Sequence, residues 1–111
     1  MATIIPILKW QSSLADGQIA ASKGTLYTSS GKSIITFFSC HNTGVVTETV
    51  VVYLERSGTS RVFWQGDLGV GETAWVLAEG DPPITLSSTD LIEAKTTNAT
   101  KVDYFISGEA E

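Results

Sequence analysis

The chain is cut into short pieces. Runs rich in β-branched and aromatic residues follow one another closely, and each is closed by a cluster that supplies turn backbone angles or local hydrogen bonds. The runs cover residues 18–28, 33–41, 47–56, 61–64, 72–77, 84–86, 91–96 and 102–107. The breaks between them read "SSGK", "NTGV", "RSGTS", "GDLGVG", "EGDPP", "SSTD" and "TNATK". No window keeps the 3.6-residue apolar period of a helix. This pattern leaves few options. It predicts an all-β chain, an antiparallel β-sandwich or small barrel of about seven or eight short strands. With 111 residues there is room for one domain, large enough to bury a core without disulfides or metals.

Alternation along the runs assigns their faces, because successive side chains in a strand point to opposite sides. In residues 47–56, Val50, Val52 and Leu54 share a face with Glu48 and Arg56 at its ends, while Val51 and Tyr53 share the other. In residues 102–107, Val102, Tyr104 and Ile106 oppose Asp103, Phe105 and Ser107. The faces rich in Val, Leu and Ile are the expected core. Val51, Tyr53 and Phe105 make the opposite faces more apolar than water requires, so a partner is expected to cover them.

Residues 1–13 read as an extended N-terminal arm ahead of a single domain at 14–111. The arm carries Ile4, Ile5, Ile7, Leu8 and Trp10, with Pro6 excluding a helix or a central strand and "ADG" at 15–17 expected to turn the chain into the domain. We expect these five side chains to pack on a neighbouring subunit or a larger shell. The competing expectation makes the segment the first strand of its own sandwich.

The net charge of −5 is uneven. Residues 1–47 hold Asp16 against Lys9, Lys23 and Lys32, a balance of +2, whereas residues 48–111 hold eleven acids against Arg56, Arg61, Lys95 and Lys101, a balance of −7. An acidic chain without a basic cluster makes a poor nucleic-acid binder. No apolar run approaches membrane-helix length, so no membrane partner is expected. "MATIIPILKW" lacks the marks of a signal peptide, and one cysteine allows no internal disulfide; both lead to an expected intracellular origin.

Cys40 and His41 are the only cysteine and the only histidine, and they are adjacent. In a strand they point apart and cannot cooperate as a dyad. Zinc needs several Cys, His or carboxylate ligands, and the chain has no second Cys or His to join these two. Cys40 is expected on the face of Ile34 and Phe38, and His41 on that of Ile35 and Phe37. The acidic, Gly-rich loops "GDLGVGETA" and "EGDPP" are weighed as calcium sites, but the first lacks calcium-loop spacing and plain turn chemistry is the expectation for both. Trp64 and Trp75 read as rim or core fillers. No catalytic residue, metal or cofactor is expected.

The stretch from "LADGQIAASKGTLYTSSGK" through "NTGVVTETVVVYLERSGTSRVFW", then "LGVGETAWV" and "VDYFISGEAE", resembles small β-sandwich structural proteins of tailed bacteriophages over about residues 14–109. The order of the pieces carries the resemblance more than any one of them. It implies a virion component, made in the host bacterial cytoplasm, without catalytic machinery. The leading expectation is a capsid decoration or cement protein that binds the major capsid protein or another virion protein as a homo-oligomer, with a trimer suited to local threefold positions. A neck or tail accessory protein is the nearest alternative. A carbohydrate-binding module for host attachment is another, and it needs coplanar exposed aromatics beside polar groups.

Overall fold

The computed structural model describes residues 13–110. It holds nine strands: β1 (Ser13–Gln18), β2 (Gly24–Thr28), β3 (Ser33–Asn42), β4 (Glu48–Arg56), β5 (Thr59–Leu68), β6 (Thr73–Leu77), β7 (Ile84–Leu86), β8 (Leu91–Thr96) and β9 (Val102–Ala110). All pairs are antiparallel. One sheet runs β1-β9-β3-β6, with the short β7 also on β3; the other runs β2-β8-β4-β5. Setting the short β7 aside, eight strands alternate between two four-stranded sheets in the order of a jelly roll, an all-β solution built of two Greek keys. Among the described residues there is no helix, so none is long and apolar enough to cross a membrane.

The turns form where the breaks predicted them. Arg56 pairs with Thr59, leaving Ser57 and Gly58 as a two-residue hairpin loop. Their φ angles of 53° and 80° have the signs of a type I′ turn, whose twist matches that of the flanking strands. Three acids stitch their own turns: Glu72 accepts the Gly69 N–H, Asp81 the Ala78 N–H and Asp90 the Ser87 N–H. The acidic loops thus use these carboxylates for turn closure.

Between the sheets lie Ile35, Phe38 and Cys40 of β3, Val50 and Val52 of β4, Ile92 and Ala94 of β8, and Val102 and Ile106 of β9. Each large apolar side chain buried here stabilises the fold by about 1.5–3 kcal/mol. Charged residues on the core face of β4 stand at its ends, as the alternation placed them. Glu48 is fully buried and accepts the backbone N–H and the Nδ2 of Asn98 at 2.8 and 2.9 Å. Arg56 reaches across to the opposite sheet and donates through Nη2 to the Thr85 carbonyl at 2.7 Å.

Two expectations need correcting. "ADG" is not a turn: β1 pairs through it with β9, Gly17 opposite Tyr104. Gly17 sits at φ 151°, and a Cβ there would meet the Tyr104 ring at 3.5 Å. The glycine therefore serves an irregular edge strand and not a reversal. The faces of β3 are also offset. Ile35 pairs with Gly108 but Phe37 with Ser107, leaving Thr36 as an extra residue. This bulge shifts the alternation by one. Ile35, Phe38 and Cys40 share the core face, and the partly exposed Ile34 falls on the outer side with Phe37 and His41.

Candidate interaction surface

Cys40 is fully buried, and burial pushes its thiol from an ordinary 9.0 up to about 12. His41 faces outward, its Nδ1 2.7 Å from Thr73 Oγ1 across the β3–β6 ladder. The two share no site. Among the described residues no three His, Cys, Asp or Glu side chains gather where they could hold a metal. The buried thiol has a measurable signature. It stays neutral in the folded state, whereas the unfolded thiol ionises above pH 9. Ionisation then favours the unfolded chain, so stability should fall as pH rises from about 9 towards 12, by up to about 1.4 kcal/mol per pH unit from this group. A thiol reagent at pH 8 should label the native protein only as fast as it unfolds; rapid labelling would contradict the buried placement.

What the fold does assemble is an aromatic surface on the outer face of the β1-β9-β3-β6 sheet. Ser39 of β3 pairs with Trp75 on one side and with Phe105 on the other, so the three lie in one row across three strands. Asp16 of β1 pairs with Phe105 and extends the row. Phe37 stands in the next row, opposite Ser107. Its ring meets Trp75 edge-on, with centroids 6.3 Å apart and planes at 64°. Trp75 remains 56% exposed and Phe105 42%. Small Ser39 and Ser107 leave a shallow trough between the rings. Carboxylates rim it: Asp16 beside Phe105, Asp103 one row on opposite His41, and Glu79 beside Trp75.

The other outer face is different. Val51 and Tyr53 lie there on β4, half-buried, with Lys23 Nζ 4.9 Å above the Tyr53 ring. Lys23 also donates to Ser60 Oγ at 3.2 Å and lies 3.9 Å from Glu93. A polar lid from the same chain thus covers part of what the sequence marked for a partner. Val51 and Tyr53 are on the opposite side of the sandwich from Phe105, so these three expected interface residues do not form one surface. Ile4, Ile5, Ile7, Leu8 and Trp10 lie outside the described residues.

A second apolar group caps one end. Val45 and Val46, in the β3–β4 loop, are 87% and 51% exposed, and Val70, in the β5–β6 loop, 61%. Asn42 holds these loops together. Fully buried, it donates through Nδ2 to the carbonyls of Val46 and Leu68 at 2.8 and 3.0 Å and accepts the Gly44 N–H at 2.8 Å. Its backbone N–H donates to Glu72, and its carbonyl accepts from Gly71.

No protein-family model matches the chain, and a search of curated proteins gave no match. Among solved structures, a chain from Bacillus endospore appendages, described as a novel family of disulfide-linked pili, is similar at 17% identity, with a TM-score of 0.47 over 90% of this chain and 88% of that one. A likeness so distant carries no argument about function.

Proposed function

We propose that the chain is a structural subunit of a tailed-phage virion, a capsid decoration or cement protein that works by covering surface and not by catalysis. The observation that carries this reading is the exposed row of Phe105, Ser39 and Trp75, a flat sheet face with large aromatics at the surface. Exposed clustered aromatics are the usual anchors of protein interfaces. Jelly rolls recur in viral capsid and lectin domains, an analogy of fold that agrees with the sequence resemblance without defining a function. Each copy would bury its aromatic face across joints between capsid subunits. Many modest contacts would add through avidity. The trimer remains the oligomer best suited to local threefold positions.

The carbohydrate-binding alternative asks for coplanar rings, and the Phe37–Trp75 planes stand at 64°. That angle favours a protein partner over a sugar platform. The deciding test is quantitative mass spectrometry of intact particles with labelling of the chain's position. Copy number in fixed proportion to the capsid protein, with label over the shell, is the expected result. A small ring number at the neck or tail would replace decoration by the accessory role, and absence from particles would sink the virion reading.

A further inference from the structure

The aromatic trough lies on the sheet whose edge strand, β1, is the first described element. Ser13 pairs with Ser107, and β9 runs only from there to Ala110. Among the described residues, β9 therefore extends only three positions beyond the partner of Ser13. Ile4, Ile5, Ile7 and Leu8 come earlier still in the sequence, and a segment that continued the line of β1 would carry them past the described part of β9. Reaching the trough of the same chain would demand a reversal within Gln11–Ser12, where no glycine or proline serves a turn. It would then have to cross β9 and β3 to Trp75, about three strand spacings or ~14 Å away. Another copy meets no such restriction. Nine extended residues span roughly 30 Å, enough to cross a neighbour's sheet.

The chemistry matches as well. Residues 4–10 contain five large apolar side chains and one cationic side chain, Lys9, and residues 1–12 hold no acid. The trough is aromatic in its floor and rimmed by Asp16, Asp103 and Glu79. We propose that residues 4–10 of a second copy occupy the Phe37–Trp75–Phe105 trough, with Lys9 placed among its carboxylates. The contact joins unlike surfaces of identical chains. Arm donation in this manner closes into a ring, or pairs reciprocally, or continues as a filament.

The test uses two full-length variants. Trp75→Ser combined with Phe105→Ser removes the trough but keeps the arm; Ile5→Asp combined with Leu8→Asp removes the arm but keeps the trough. Sedimentation of the unaltered chain should show concentration-dependent association. Each variant alone should associate roughly thirty-fold more weakly or worse. Mixed in equal amounts they should form a one-to-one complex, because the mixture still contains one good arm and one good trough. A monomeric unaltered chain at every concentration, or variants that still self-associate, or a mixture that does not complement, would each overturn the proposal. Should the trough variant fail to fold, Lys9→Glu in the intact chain is the second probe: association should weaken severalfold, and Glu79→Lys should restore it; no change in either direction would overturn the proposal. The inference rests on the reading of the chain as an assembly subunit, yet the two fail separately. Complementation by a chain absent from particles sinks the virion reading alone, and a strict monomer found on particles sinks arm donation alone.

Discussion

Gly108→Ala is expected to destabilise the domain by about 3 kcal/mol or more, at the upper end of what overpacking costs. Gly108 lies on β9 opposite Ile35, directly where β3 bulges. A Cβ built there would be driven into the Ile34 carbonyl oxygen and would come within 3.0 Å of Ile35 Cα. Both obstacles are backbone, so no side chain can rotate away. The two central strands would have to separate, and with them the contacts of Ile35 and Ile106 in the core. Because a domain of this size has only about 5–15 kcal/mol in total, the loss should be plain in urea unfolding as a much lower midpoint. A cost below about 1 kcal/mol would mean that β3 and β9 approach less closely than described.

Asn42→Asp is the second large effect, expected to cost about 3 kcal/mol or more and to exceed Asn42→Ala. Alanine merely leaves the carbonyls of Val46 and Leu68 and the Gly44 N–H without their partner. Aspartate does worse, because it sets a charge among two carbonyl oxygens in a site closed to solvent. Its folded-state pKa would be raised by those neighbours. A raised carboxyl pKa means that protonation favours the fold, so the variant should recover relative to the natural chain as pH falls and lose ground as pH rises. Parallel unfolding curves at acidic and neutral pH check this; a defect independent of pH, or smaller than that of alanine, would contradict it.

Both sites also mark where sequence reasoning reached and where it stopped. Turn chemistry was legible because it is local: "RSGTS" names its own hairpin, and the acids at 72, 81 and 90 close their turns three residues back. The core face of β4 was legible for the same reason, since period-two alternation needs no knowledge of a partner. The β3 bulge was not. It coincides with the close passage of Gly108, some seventy positions away, and nothing in "SIITFFSCHN" announces it. "ADG" has the composition of a turn, and only the edge pairing with β9 shows that it is strand.

The candidate surface divides in the same way. Phe105 was found from alternation, but Phe37 and Trp75 join it only through the pairing of β9, β3 and β6. Which sheet a strand enters is a matter of long-range topology, and so Val51 and Tyr53 were grouped with a residue that lies across the sandwich. A nearby signal did exist. Trp75 alternates with the buried Val76 in "TAWVL", so an outward tryptophan was readable once Val76 was assigned inward.

The pairing of β1 with β9 has a practical meaning for engineering. Where β1 begins and β9 ends, the two strands lie side by side. A short linker can therefore join them into a closed circle, and the hairpin at Ser57–Gly58 offers a natural place to reopen it, since both residues are exposed and a side chain at Gly58 would meet nothing within 4 Å. Such a permuted chain would carry its free ends on the other sheet. The apolar leader at residues 1–12 would become a movable cassette, attachable at a chosen point and with a chosen tether length.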